Sequence, residues 1–315
     1  MNFVSAKYHS KVFVEQSSFE FDVDKCKIFL CVQSNNLEIR IKGRKGSEKL
    51  EAVLAEIESL LFVYLGSFPA ILSLCISGVE QDLTNRINKY KTSSRFVKKN
   101  LALCSISPET VNSDVINVMR TIKRTPMFSL HYIVSESYDC VIQDHKITLL
   151  LHIVEAFIND KIVEKEKENV RREYAIPKNQ RIGKYFAVSY HLCKNYYFKF
   201  HRKYNCEILK IMNKSQHDFL RTITDTRNWY SHFFDDSNKL SRLRSGTDMT
   251  VYFEIIYYAI RLMIMDELGV KPKEDSIKEF YFSVHDWIAG IYKKDVPLKS
   301  ITYKTEKMIQ DLNSK

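Results

Sequence analysis

Thr222-Ile223-Thr224-Asp225-Thr226-Arg227-Asn228-Trp229-Tyr230-Ser231-His232-Phe233 is the stretch on which the reading of this chain turns. Its apolar and polar residues suit a helix. Ser215, followed three residues later by Asp218, opens that helix with a capping-box pattern, and Phe219, Leu220 and Ile223 give it an apolar face. Arg227 and His232 stand five positions apart, an angular offset of about 140° on a helix. They meet on one side only if His232 sits at a fraying last turn, just before the turn-like Asp235-Asp236-Ser237-Asn238. An imidazole moves a proton near neutral pH. A guanidinium holds a phosphate through two hydrogen bonds and stabilises the extra charge of a pentacoordinate transition state. Together these groups suffice for cleavage of RNA without a metal or cofactor, because the ribose 2′-hydroxyl is a built-in nucleophile. DNA lacks that hydroxyl. A plainer reading stands beside this one: Arg227 bridges to Asp225 or Asp236, and His232 is a surface residue.

The segments on either side of this stretch read as helices. Lys146–Lys167 is apolar in its first half and charged in its second (Glu164, Lys165, Glu166, Lys167), which predicts a helix buried at one end and solvated at the other. Glu155 lies inside its apolar half. A carboxylate there must find a partner or take up a proton, and either Arg227 or His232 across the bundle, or an ordinary lysine or arginine, would serve. Phe186, Val188, Tyr190, Leu192 and Tyr196 predict another helix after Pro177. Thr247 is the expected N-cap of a long helix running through Leu268 and stopped by Gly269 and Pro272. A last helix is expected at about 277–292. Between these, Lys194-Asn195-Tyr196-Tyr197-Phe198-Lys199-Phe200-His201-Arg202-Lys203-Tyr204 interleaves cations with rings. Rings stack on unpaired bases while cations follow phosphates, so Lys194, Lys199, Arg202 and Lys203 are RNA-binding candidates, with Lys178, Arg181 and Lys184 extending the basic surface. Alternatively, Tyr197, Phe198 and Phe200 are core side chains rimmed by the cations.

The N-terminal part has a different periodicity. Lys11–Glu15, Phe19–Val23, Lys27–Gln33 and Leu37–Lys42 alternate as short strands, punctuated by Asn35-Asn36 and Gly43. Ser47–Leu65 turns helical, with Leu50, Val53, Leu54, Ile57, Leu60, Leu61 and Tyr64 on one face and Gly66 as the stop. Ala70–Ser77 returns to a strand. Ser107 and Pro108 predict a helix start, continued by Asp114, Ile116, Val118, Met119 and Ile122 and broken by Pro126, with a short helix around 127–135 after it. The chain therefore reads as α+β: a small antiparallel sheet with helices over 1–140, then an all-α bundle over 141–315, with the boundary near Tyr138–Gln143.

Composition narrows the function. Only 8 glycines and 6 prolines among 315 residues argue for long helices over barrels and sandwiches. The net charge of +10 suits a polyanionic partner, nucleic acid above all, or is a general solubility charge. Seven cysteines without a CxxC pair exclude zinc-ribbon and redox motifs and read as reduced thiols of a cytoplasmic protein. Gly-rich phosphate loops, GxSxG and HExxH are absent. The N-terminus lacks a signal-peptide core, and the apolar stretches Ile147–Ile158 and Val251–Met265 carry ionisable residues, as buried helices do and membrane spans do not.

Asp225-Thr226-Arg227-Asn228-Trp229-Tyr230-Ser231-His232 resembles the D-x-R-N-[aromatic]-x-[S/T]-H signature of the HEPN superfamily, in the form of its Apea-like branch. The likeness extends over about 150–295, through the apolar helices before and after the motif. More loosely, residues 1–140 resemble a shortened version of the N-terminal domain found with Apea-like proteins. The resemblance implies a four- or five-helix bundle that forms a homodimer, in which two motifs face one another as a composite RNA-cleavage site. It makes Arg227 and His232 the catalytic pair and Asn228 a polar residue that orients them or the phosphate, with Asp225, Tyr230 and Glu155 as supporting residues. It also implies RNA as substrate, antiphage defence or toxin biology, a phage or host trigger or an antitoxin as partner, and a sensory or regulatory N-terminal domain. A HEPN-like bundle that binds RNA or protein without cutting it is the competing expectation.

Overall fold

A computed structural model describes residues 2–9, 16–66, 70–83, 102–122, 143–199, 208–232, 242–243, 246–279 and 288–290. They divide into two compact units. The first comprises Met1–Ile142 and Ile260–Ser276, the second Gln143–Ala259 and Ile277–Lys315. Among the described residues, no helix is long and apolar enough to cross a membrane.

The first unit is built on a six-stranded antiparallel sheet. Its strands are β1 (Asn2–His9), β2 (Ser17–Val23), β3 (Cys26–Gln33), β4 (Asn36–Gly43), β5 (Ala70–Ile76) and β6 (Val79–Glu80), in the spatial order β2-β3-β4-β1-β5-β6. The strand expected at Lys11–Glu15 falls outside the described residues; Asn2–His9, not expected as a strand, pairs between β4 and β5. Three two-residue turns close its hairpins: Asp24-Lys25, Ser34-Asn35 and Ser77-Gly78. All six turn residues have positive φ, the geometry whose twist matches right-handed strands. Asn36, expected in a turn, opens β4. Gly43 is not a turn residue either. It ends β4 opposite Cys26, and a Cβ there would lie 3.0 Å from Cys26 Sγ and 3.1 Å from Leu50 Cδ2. Space, and not backbone freedom, requires glycine at that position.

Alternation puts Cys26, Ile28, Leu30 and Val32 of β3, Leu37, Ile39 and Ile41 of β4, and Val4, Ala6 and Tyr8 of β1 in the core. Helix α1 (Ser47–Leu65) packs on β1 and β4 with Leu50, Val53, Leu54, Ile57, Leu60, Leu61 and Tyr64 buried, as its periodicity predicts. Tyr8 donates to Glu58 Oε1 on α1 at 2.6 Å. Helix α2 (Ser113–Thr121) begins later than Ser107-Pro108 suggested. Asn112 is its N-cap, accepting from the Val115 amide, while residues 108–110 form a turn in which Thr110 Oγ1 donates to the Ser105 carbonyl. Arg120 of α2 forks onto Glu56 of α1 at 2.8–3.1 Å and reaches Asp24 at 2.9 Å.

The C-terminus of α1 has an unusual cap. Gly66 takes the left-handed conformation at φ 71° and returns its N–H to the Phe62 carbonyl. The fully buried Arg261 guanidinium then donates from Nε to the Val63 carbonyl at 2.7 Å and from Nη2 to the Tyr64 carbonyl at 2.8 Å. A cation at a helix C-terminus meets both the orphan carbonyls and the negative end of the macrodipole. A Cβ on residue 66 would run into that guanidinium.

The second unit is helical: α3 (Gln143–Phe157), α4 (Asp160–Glu173), α5 (Lys184–Leu192) continued by a π-helical turn (Cys193–Phe198), α6 (Gln216–His232) and the first part of α7 (Gly246–Glu267), whose residues from Ile260 on belong to the first unit. The single helix expected over Lys146–Lys167 is two helices. Asn159 ends the first and caps the second, its side chain accepting from the Ile162 amide at 3.0 Å. Ser215 and Asp218 form the expected reciprocal cap of α6: the Asp218 amide donates to Ser215 Oγ at 3.1 Å and the Ser215 amide to Asp218 Oδ2 at 3.3 Å. Helix α7 starts at Gly246, one residue before its expected cap at Thr247. Helix α3 packs on α5 and α6, and α5 packs on α4 and α6. Phe219 of α6 stacks on Tyr252 of α7 at 4.4 Å between ring centroids. Of the last expected helix, the described residues show 274–279 and 288–290 as helical; the helix expected around 127–135 lies outside them.

Candidate functional site

Arg227 and His232 are both on α6, and the helix runs unbroken from one to the other, with His232 its last residue. Regular helix geometry separates their Cα positions by about 7.5 Å along the axis and about 140° around it. The side chain of His232 lies outside what the structure describes.

Arg227 is buried. Its guanidinium carbon lies 3.1 Å from the ring centroid of Tyr185 at the start of α5, a cation–π stack. Its Nη2 is 3.7 Å from Glu155 Oε2 on α3. Burial lowers the Arg227 pKa, opposed by Tyr185 and by the Glu155 charge, and an arginine still keeps its proton at neutral pH. Three helices thus meet at one guanidinium: α6 supplies it, α5 lies beneath its plane, and α3 offers a carboxylate at its edge.

Glu155 has further neighbours. Lys184 Nζ is 3.2 Å from Oε1, and His152 Nδ1 is 3.8 Å from Oε2. The carboxylate inside the apolar half of α3 is therefore surrounded by Arg227, Lys184 and His152. Lys184 also reaches Asp160 at 3.5 Å. Tyr185 and His152 were not singled out from the sequence. Which ring lies under Arg227 depends on how α5 docks on α6, and spacing along the chain carries no trace of it.

The rest of the motif serves its surroundings. Asp225 pairs with Arg221 one turn earlier, at 3.6 Å. Asn228 and Tyr230 are half-buried on α6. Thr226 Oγ1 donates to the Thr222 carbonyl at 2.7 Å and accepts from the Leu243 amide at 2.9 Å, while Arg242 lies 3.4 Å over the Trp229 ring. Residues 242–243 are thereby held against the motif helix.

The basic aromatic stretch divides. Tyr197 and Phe198 are buried core residues, with Phe198 edge-on to Phe219, so these two rings are not open to bases. Lys194 is paired with Glu173 at 2.7 Å, and Lys199 is exposed. Phe200, Arg202 and Lys203 lie outside the described residues. The π-helical turn also carries Asn195, which with His191 and Asn169 surrounds Glu166. His191 Nδ1 is 2.9 Å from Glu166 Oε1, and Asn169 donates to Oε2 at 2.9 Å. Burial pushes the Glu166 pKa up, but hydrogen bonds from His191, Asn169 and Asn195 outweigh it and hold the carboxyl below its ordinary value. Among the described residues, no cluster of His, Cys, Asp and Glu could hold a metal ion.

Residues 148–274 match the family model for Apea-like HEPN. The match supports an Apea-like HEPN domain in this segment of the chain. The HEPN match begins inside α3, takes in α4, α5 and the motif helix α6, and ends beyond α7. Glu155, Lys184, Tyr185, Arg227 and His232 all fall within it. No curated protein and no solved structure matches the chain.

Proposed function

We propose that the chain is a metal-independent endoribonuclease of the HEPN type. The observation that carries this reading is the Arg227-Asn228-x3-His232 pattern closing one helix inside the segment that matches the family. In the reaction, the 2′-oxygen attacks the adjacent phosphorus as its proton passes to a base. The bond to the 5′-oxygen breaks and that oxygen takes a proton from an acid. The products are a 2′,3′-cyclic phosphate and a 5′-hydroxyl. His232 moves protons, Arg227 neutralises the pentacoordinate phosphorane, and Asn228 orients one or the other. Arg227 and His232 diverge around α6, so joining both functions at one phosphate favours two motifs facing each other in a homodimer. Antiphage defence or toxicity in the cytoplasm, released by a phage or host trigger or held by an antitoxin, is the setting that the HEPN match suggests. The sheet unit is then the natural place for sensing.

One observation favours a second reading, a HEPN module that binds RNA or protein without cutting. Arg227 is buried and paired within its own bundle, as a structural arginine would be. The deciding experiment compares wild type, Arg227→Ala and His232→Ala on total RNA and tRNA in EDTA. Cleavage by wild type alone supports the nuclease. Equal cleavage by wild type and both variants places the activity elsewhere, and RNA retention without cleavage by wild type supports the module.

A further inference from the structure

We propose that Arg227, Lys184 and His152 form a subsite for one phosphodiester group of RNA, and that the Glu155 carboxylate fills this subsite while no RNA is bound. The inference rests on the reading that Arg227 handles phosphate, and it adds two further phosphate ligands and an internal competitor to it.

Convergence is the first argument. Three side chains from three helices point nitrogen atoms at one carboxylate: Lys184 Nζ at 3.2 Å, Arg227 Nη2 at 3.7 Å and His152 Nδ1 at 3.8 Å. A carboxylate presents two oxygens to such donors much as a phosphodiester presents its two non-bridging oxygens, and guanidinium and ammonium groups recognise both. The second argument is the looseness of the fit. A charge-assisted hydrogen bond closes to about 2.7–2.9 Å, and all three distances to Glu155 exceed that. Lys184 is the nearest partner of the carboxylate, whose contacts with Arg227 and His152 are longer than a close charge-assisted hydrogen bond, so a ligand that reached all three side chains would displace it.

Exposure gives a direction of entry. The Arg227 side chain is 3% exposed and Glu155 20%, whereas Lys184 is 41% and His152 44% exposed. Lys184 and His152 therefore meet solvent, while the guanidinium is buried. Lys184 is also the first residue of α5, whose N-cap, Gly183, offers no side-chain cap to the helix, so the positive end of that helix adds to the field at the same place. Tyr185, the next residue, stacks on the guanidinium and so fixes its plane. Moving Glu155 aside raises the net charge of the subsite by one unit at the moment a phosphate arrives.

The test measures binding and not cleavage. A fluorescently labelled 2′-O-methyl RNA, which has no 2′-hydroxyl to attack, is titrated with the full chain and followed by anisotropy. Glu155→Gln should bind roughly fivefold or more tightly than wild type, and Lys184→Gln more weakly by a similar factor. Glu164→Gln removes an exposed carboxylate elsewhere in the same unit and should change affinity by less than about twofold. Binding by Glu155→Gln that is unchanged or weaker overturns the proposal, as does an equal gain from Glu164→Gln, which would mean bulk charge alone. Should circular dichroism show Glu155→Gln unfolded, Glu155→Asp carries the same test. It keeps the charge, draws the carboxylate back by one methylene and should also tighten binding. Arg227→Ala separates the two levels. If it binds as wild type does, the reading of Arg227 as a phosphate ligand fails. If it loses binding while Glu155→Gln and Glu155→Asp change nothing, only the competitor role of Glu155 fails.

Discussion

Replacing Arg261 with methionine should destabilise the sheet unit by about 2–4 kcal/mol. Methionine fills much of the same volume and carries no donor. The Tyr64 carbonyl retains a partner, because the Leu103 amide donates to it at 2.7 Å, whereas the Val63 carbonyl loses the Arg261 Nε–H that reaches it at 2.7 Å. An unsatisfied buried carbonyl costs about 1–3 kcal/mol. Loss of the cation at the α1 C-terminus adds about 0.3–1 kcal/mol, and up to about 2 where the site is dry, as here. Against these stands the desolvation that a fully buried guanidinium no longer undergoes. In a unit of this size about 2–4 °C of melting temperature accompanies each kcal/mol, so the Met variant should melt roughly 5–15 °C lower by circular dichroism. Arg261→Lys, which keeps the charge and loses the fork, should fall between the two. A Met variant that melts within about 2 °C of wild type refutes the reasoning, since the cap would then do no more than offset the burial of its own charge.

Other expectations follow from the same geometry. Gly66→Ala combines a positive φ with a collision against Arg261 and should destabilise this unit more than the usual 1 kcal/mol or so of a strained alanine; thermal melts of the single variant measure it. Glu166 has a depressed pKa in the folded state, so its contribution to stability is present above the ordinary carboxyl pKa of 4.5 and fades as pH falls through the lower folded value. Glu166→Gln should therefore flatten the acid side of a stability–pH profile and lower stability at neutral pH, and a profile parallel to wild type would contradict this. Burial pushes the Cys104 and Cys193 thiols up to about 12, so in native protein a thiol-selective reagent should label the half-exposed Cys31 and Cys75 well before them, as mass spectrometry of labelled peptides would show.

Local rules made much of the fold legible in the sequence. The seven apolar positions of α1 and the stop at Gly66, the alternation of β3 and β4, and the Ser215–Asp218 cap are each encoded within a few residues. What was not legible depends on distant partners or on a weak local signal. Strand β1 is flanked by β4 and β5, and Phe3, Val4, Ala6 and Tyr8 declare a strand only once those neighbours are present. The break between α3 and α4 is marked by one hydrogen bond from the Ile162 amide to the Asn159 side chain, inside a stretch whose apolar and charged halves read continuously. Gly43 and Gly66 are both glycines at element ends. One is required by Cys26 and Leu50 and the other by its own φ and Arg261, and sequence alone does not tell these cases apart. At the candidate site, the motif identified Arg227 and His232 through residue types and spacing. Lys184, Tyr185 and His152 come beside Arg227 and Glu155 only through the packing of α3, α5 and α6. The rings of the basic stretch went the other way: Tyr197 and Phe198 suit base stacking by composition, and the bundle uses them as core.

Arg227 and His232 are proposed to cleave RNA through its own 2′-hydroxyl. End-group analysis of products made in EDTA tests it most directly, with an all-RNA oligonucleotide compared against the same sequence in 2′-O-methyl form. Cleavage by this pair gives 2′,3′-cyclic phosphate and 5′-hydroxyl ends from the RNA, leaves the 2′-O-methyl strand intact, and yields no products with His232→Ala. Products bearing 5′-phosphate, or cutting of the 2′-O-methyl strand, would contradict it.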